Sequence, residues 1–415
     1  MQYAYTAGLK EAFNLSGTDY NWIDNGYYIC YAVGGLFGVL LTAYFPPRIV
    51  FPCFELSWVV FTILNCAAHD FTSQLVLRCF QGGLAGMAFP SISYILGTFY
   101  PPELLSSRTC IFIFAGCVGP IIGGVIQSGL YGALEGKNIG IPAFKMAQVV
   151  DGLIGLPVAI SGFFAIPPVT GDKGNLYLSR EDIQHLFKRT EQSSEQTHNK
   201  FNVKFIWSVL TSWQLWLFCL LFSAEQIAGY AASFQSIVLK SQGYSVYDCN
   251  NLPTIQSGVK AVASLLAGVL IELKGKRFEV YLLICAIWMT GLAILVKYDV
   301  ARIAQFIGYA LTGVSSPVSA ILLSWANTAS RNRGAGFRAF VLGSLNIAAQ
   351  ICLTPIGVLI FDTSLAPRFT TGMRLGLAMV VLQVFGACAL LWCDRYERRL
   401  ADFIDEQSTE SDEKI

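Results

Sequence analysis

Eleven stretches of this chain are mostly apolar over about 18 residues or more, and nothing else in the sequence restricts the fold as severely. A run of that length crosses a hydrocarbon core about 30 Å thick, where backbone N–H and C=O groups find no water. A helix satisfies those groups within a single segment, so each run is expected to be a transmembrane helix. The approximate limits are 26–45, 51–69, 75–99, 109–131, 148–168, 208–234, 255–273, 279–297, 303–326, 339–361 and 374–393. Composition excludes the other reading, that these are core helices of a soluble protein. Hydrophobic residues make up 54% of the chain and charged residues only 13%, with a mean hydropathy of +0.53, which is too few charges to cover a water-facing surface. The expected fold class is all-α, with about eleven helices arranged as five plus six in two bundles.

One long polar segment, "TGDKGNLYLSREDIQHLFKRTEQSSEQTHNKFNVK", separates the fifth span from the sixth. Its composition suits a cytosolic linker with one short amphipathic helix at Arg180–Arg189. The expected organisation is a helical bundle over 1–168, a linker over 169–205, a six-helix bundle over 206–393 and a cytosolic tail over 394–415. With the linker inside, eighteen Lys and Arg residues fall on the cytosolic side and eight outside. That asymmetry is what the positive-inside rule requires. It puts the first residues outside, although residues 1–25 contain neither a basic region nor a sustained apolar core of signal-peptide type. Asn14-Leu15-Ser16 is a glycosylation sequon in that outer segment.

The net charge of +1 offers no basic surface for nucleic acid, and the cations lie in scattered loops. The twelve cysteines form no CxxC pair and His69, His185 and His198 lie far apart, so no metal site is expected. No Walker loop, GxSxG elbow or HExxH is present, which argues against a nucleotide-driven pump and against an enzyme of the common hydrolase classes. No cofactor is called for.

The two cations left over, Arg78 and Lys260, fall inside spans. A charge within a bilayer costs several kcal/mol unless it faces water, a partner or a ligand. Arg78 heads the stretch "RCFQGGLAGMAFPSISYILGTFYPPELLSSR", and its planar fork fits a carboxylate. The alternative is that it snorkels to the outer interface. Gly82, Gly83 and Gly86 behind it give a small-residue face for close helix packing. Glu225 lies near the centre of its span and is read as the only carboxylate so placed. Scarce water makes a carboxyl hold its proton towards neutral pH, which suits a proton carrier. A structural bond with Gln226 or an ion pair with Lys260 is the competing account. Lys260, Asn346, Gln350 and Tyr230 are candidate substrate contacts, with interhelical hydrogen bonding the alternative for the two amides.

The stretch from Arg78 to Arg108 resembles the fourth helix and following loop of the anion:cation symporter family within the major facilitator superfamily. "AYTAGLKEAFNLSGTDYNWIDNGYYICYAVG" is similar to the entry to the second helix in fungal allantoate and pantothenate permeases. "NNLPTIQSGVKAV" and "LAPRFTTGMRLG" are similar to two later segments, so the likeness covers nearly the whole chain. The family has twelve helices with both termini in the cytosol. The likeness here starts at the tail of the first helix, so the chain is expected to lack it. "LTAYFPPRIVFP" keeps only Arg48 of the signature between the second and third helices. Ala85 stands where relatives often carry a carboxylate, so proton coupling on that helix is expected to be lost. "GCVGPIIGGVIQSGLYG" resembles the family's glycine-rich fifth helix, in which Pro120 favours a bend.

The resemblance implies a secondary transporter of a small organic anion, a carboxylated vitamin or ureide, working by proton symport with alternating access. It further implies a monomer in the plasma membrane. The competing reading is a non-transporting paralogue or a transporter-like nutrient sensor.

Overall fold

The computed structural model describes residues 4–15, 19–134, 142–166, 181, 203–297, 300–330, 333–361 and 368–412. All regular structure among these residues is helical, and eleven helices are long and apolar enough to span a membrane. Two short turns, Tyr5–Leu9 and Lys10–Ala12, precede them. The first five spanning helices are α1 (Asp19–Tyr44), α2 (Pro47–Leu64), α3 (Phe71–Phe99), α4 (Pro102–Leu134) and α5 (Ala143–Ala165). Then come a short α6 (Val203–Leu210), α7 (Trp213–Ser233), α8 (Gln235–Ser241), α9 (Val246–Lys274) and α10 (Arg277–Lys297). The last are α11 (Arg302–Thr312), α12 (Pro317–Ala329), α13 (Ala335–Leu359) and α14 (Thr370–Asp412). Nearly all of the linker, including the helix expected at Arg180–Arg189, lies outside the described residues, as does Ser16 of the sequon.

Local chemistry sets the helix ends. Pro47, whose missing N–H costs nothing in a first turn, opens α2. Asp70 caps α3 by accepting from the backbone N–H of Ser73 at 2.9 Å, and the Ser73 hydroxyl accepts from Asp70 N at 3.2 Å. This reciprocal capping box starts α3 cleanly, and Ser73 holds the Asp70 carboxyl below its usual range. Ser245 caps α9 by accepting from the backbone N–H of Asp248 at 3.1 Å, and Gly275, at φ +64°, ends it in the left-handed conformation.

Two boundaries differ from the hydropathy reading. α1 begins at Asp19 rather than near residue 26, because the polar faces of its first turns are covered by neighbouring protein. The ninth span is broken: α11 stops at Thr312, a tight turn runs over Gly313–Ser315, and α12 resumes at Pro317. A Cβ on Gly313 would lie 2.7 Å from the carbonyl of Gln256 on α9, so the break marks a close backbone approach.

α1 and α3 make the most extensive contact in the molecule. A Cβ on Gly82 would run into the carbonyl of Tyr27, and one on Gly86 into that of Tyr31. Gly34 meets Gly83 from the other side in the same way. This is the small-residue packing expected of that stretch. The glycines of α4 behave differently, since nothing lies within 4 Å of a Cβ on Gly116, Gly119 or Gly123. α4 runs unbroken through Pro120.

Two seams join the halves, α4 against α9 and α1 against α13. At the end carrying the cation-rich loops, Ser106 and Ser324 lie 2.7 Å apart, and the Ser107 hydroxyl donates to Glu272 at 2.6 Å. Asn327 donates to the carbonyl of Ser93 at 3.0 Å. Arg48, retained from the loop signature, donates to the carbonyl of Phe163 and therefore ties α2 to α5 within one half.

Candidate functional site

The polar groups buried among these apolar helices fall into two levels. Arg78 lies seven residues into α3, about 10 Å from its capped end. It is half-buried, its Nε is buried without a hydrogen-bond partner, and its guanidinium carbon lies 5.9 Å from the Tyr27 ring centre. Around it α1 presents Asp24, Tyr27 and Tyr28. Asp24 and Arg78 interact electrostatically, as do Asp24 and Tyr230 of α7. A Cβ on Gly357 of α13 would lie 3.2 Å from the Tyr230 hydroxyl and 3.3 Å from the side-chain oxygen of Asn25. This first level, towards the end opposite the cation-rich loops, is thus a basic group lined by phenols and one carboxylate, contributed by both halves.

The second level lies near the middle of the helices. Glu225 stands twelve residues into α7 and is only 7% exposed. Its carboxylate accepts from the amide of Gln226 at 2.8 Å. Lys260, fourteen residues into α9, acts on it electrostatically, but the two do not close into a salt bridge. Both features suggested as the structural account of Glu225 are therefore present in partial form: the hydrogen bond is made and the ion pair is open. Lys260 also lies close to Cys117 on α4, and Cys117 sits 3.2 Å from the Ser316 hydroxyl. Lys260 thus borders the seam between the halves.

Asn346 and Gln350, one turn apart on α13, are 4% and 5% exposed. The Asn346 amide nitrogen and the Gln350 side-chain oxygen are both buried without a partner. A Cβ on Gly35 of α1 would lie 3.7 Å from Asn346, so Asn346 faces the second seam. Unpaired polar atoms in a dry span are costly unless a ligand or water satisfies them.

The structure corrects one sequence reading. Glu225 is not the only carboxylate near the middle of a span: Glu55 and Asp151 also stand well inside α2 and α5, and Asp24 lies within α1 closer to its start. Asp24 was missed because the apolar run starts at residue 26, whereas the helix starts at Asp19. The available signal was the helical spacing of Asp24, Tyr27, Tyr28 and Tyr31, which share one face. Among the described residues no cluster of His, Cys, Asp and Glu could hold a metal ion.

Residues 2–352 match the family model described as Major Facilitator Superfamily. The pantothenate transporter liz1 of Schizosaccharomyces pombe is 27% identical over 409 residues, covering 97% of this chain and 79% of that protein. The vitamin H transporter of Saccharomyces cerevisiae is 26% identical, covering 94% of this chain and 66% of that one. Among solved structures, the proton:xylose symporter XylE superposes with a TM-score of 0.66 at 13% identity, covering 92% of each chain. The human organic anion transporter MFSD10 superposes with a TM-score of 0.64 at 13% identity, covering 93% of this chain and 87% of that one.

Proposed function

Because the chain belongs to the major facilitator superfamily, as a multi-pass membrane transporter and not an enzyme, we propose that it carries a small organic anion by proton symport. The substrate class is a carboxylated vitamin or ureide such as pantothenate, taken up across the plasma membrane by a protein that works as a monomer. The observation that carries this reading is Arg78, a cation about 10 Å inside a span whose Nε is buried with no protein partner. A group so costly to bury is retained where an anion completes it, and a guanidinium receives a carboxylate through two parallel bonds. Tyr230, Lys260, Asn346 and Gln350 supply further polar contacts from the second half. Substrate held between halves that rock about it would reach each side in turn. Glu225 is the proposed proton carrier, with Lys260 setting the field it works in. The names of the relatives support a vitamin acid as cargo.

The test is uptake of radiolabelled pantothenate, biotin and allantoate by the full chain at the cell surface. Arg78→Lys keeps the charge but loses the fork, so the KM for the transported acid should rise by about tenfold or more at unchanged surface expression. Unchanged kinetics in Arg78→Ala would leave Arg78 an interfacial residue and remove the clamp.

A further inference from the structure

We propose that Asp24 is a built-in anion that occupies the field of Arg78 when no substrate is bound, and that an incoming carboxylate must displace it. The inference rests on the reading of Arg78 as the anion clamp and adds to it a residue that sets when the clamp is free.

Helix register carries the argument. The carbonyl of Tyr27 lies against Gly82 and that of Tyr31 against Gly86, while Gly34 lies against the carbonyl of Gly83 and Gly26 against Leu75 and Cys79, so the Arg78 backbone stands level with Gly26 and Tyr27. A helical side chain leans towards the N-terminus of its helix, and the long Arg78 side chain, beside the Tyr27 ring, reaches back towards the level of Ile23 and Asp24. Ile23 is fully buried in a small apolar cluster with Leu9 and Phe144, so the polar side of this level belongs to Asp24. Leu75 and Cys79 of α3 close directly on Gly26, which holds the two helices too close for the charges to be separated by bulk water. Among the described residues the titratable groups acting on Asp24 are Arg78 from α3, Tyr230 from α7, and Tyr20, Tyr27 and Tyr28 from its own helix, and the chain's amino terminus acts on it as a second cation. Tyr27 stands beside Arg78 itself. Arg78 is the cation the packed helices present to Asp24, and the phenols stay neutral at physiological pH.

The pair is electrostatic but unclosed, since no salt bridge joins Asp24 to Arg78. Had it closed with both oxygens on the fork, an incoming acid would have to break a formed ion pair before binding. As it stands, the Arg78 charge is balanced from one side while its Nε keeps an unused donor. A substrate carboxylate then competes with Asp24 by charge, and protonating Asp24 removes the competitor. By linkage, a proton on Asp24 and an anion on Arg78 favour each other. Proton and anion would accordingly enter this first level together, without a carboxylate at position 85.

The sign is fixed. Asp24 competes when ionised, so anion affinity falls as pH rises. In the parental chain the KM for pantothenate should rise about tenfold from acid to neutral external pH, and in Asp24→Asn it should change less than about twofold and stay near the parental acid value. Asp24→Glu, also scored for surface expression, should restore the pH dependence. Asp24→Asn retaining the parental pH profile, or raising KM at acid pH, overturns the inference. Arg78→Lys, measured in parallel, raises KM at every pH if the clamp is right and leaves it unchanged if the clamp is wrong. If the parental chain takes up no pantothenate, the substrate assignment fails and Asp24 is judged on the purified full chain instead. Phenylglyoxal should then modify Arg78, read by mass spectrometry, at least about threefold faster in Asp24→Asn than in the parent, as expected when a charge-paired arginine loses its partner. Equal rates overturn the inference.

Discussion

Nη1 of Arg338, in the first turn of α13, donates to the carbonyl of Gly97 at the end of α3 across 3.2 Å. One bond therefore joins a helix of each half at the end that carries the cation-rich loops. The same guanidinium lies 4.9 Å from the ring centre of Tyr94 and the residue is only 6% exposed. Together with Ser106–Ser324 and Ser107–Glu272 this forms a closed seam, which under the proposed alternating access has to part for cargo to pass on that side. A charge-assisted bond of this kind contributes about 1.5–3 kcal/mol, enough to shift a two-state balance by about tenfold or more. Arg338→Ala should therefore speed alkylation of the seam residue Cys117 by N-ethylmaleimide in inside-out vesicles by at least about fivefold. An unchanged rate would show that the closed state does not depend on Arg338.

The proposed proton coupling makes a different demand on Glu225. A symporter binds proton and substrate together and releases both before it reorients, so a permanently neutral mimic should stop the proton-dependent step alone. Glu225→Gln is expected to abolish accumulation against a gradient while sparing substrate exchange, which moves no net proton. If Glu225 carries the proton, accumulation in the parent should increase as external pH falls. If Glu225→Gln still concentrates substrate with the parental pH dependence, Glu225 is a structural residue held by Gln226.

Asn346 and Gln350 separate folding from function. Each carries a buried polar atom with no partner, so replacing it by an apolar residue of similar size removes an unsatisfied group and should cost less than about 1 kcal/mol of stability. If the two amides meet substrate, Asn346→Leu and Gln350→Leu should keep the parental melting temperature in detergent while KM rises by about tenfold. A drop in melting temperature with unchanged KM would identify them as interhelical bonding residues.

Close packing of α1 on α3 predicts a graded response at three neighbouring glycines. A methyl group on Gly82 or Gly86 would strike a backbone carbonyl, whereas one on Gly83 would rest 3.7 Å from the carbonyl of Cys30, at ordinary contact distance. Gly82→Ala and Gly86→Ala should each destabilise by about 1–3 kcal/mol, and Gly83→Ala by less than about 1 kcal/mol. Thermal unfolding followed by tryptophan fluorescence ranks them, and equal losses at all three would contradict the contact geometry.

Hydrophobic length and charge placement settled much of this molecule without coordinates. A bilayer gives each apolar run one workable conformation, so the eleven spans, the division into five and six and the membrane class were legible from composition and periodicity alone. Arg78, Lys260 and Glu225 stood out as candidates for the same reason, because an ionisable residue in an apolar run is conspicuous. What the sequence could not show is which polar groups share a level. Asp24 lies outside its apolar run and became a candidate only when the close glycine contacts brought α1 against α3. The break at Gly313–Ser315 and the Arg338–Gly97 bond likewise depend on helices far apart in the chain. Burial in lipid is a property of a segment read by itself, whereas register, pairing and the field at a charge arise only when segments meet, and those the tertiary structure alone decided.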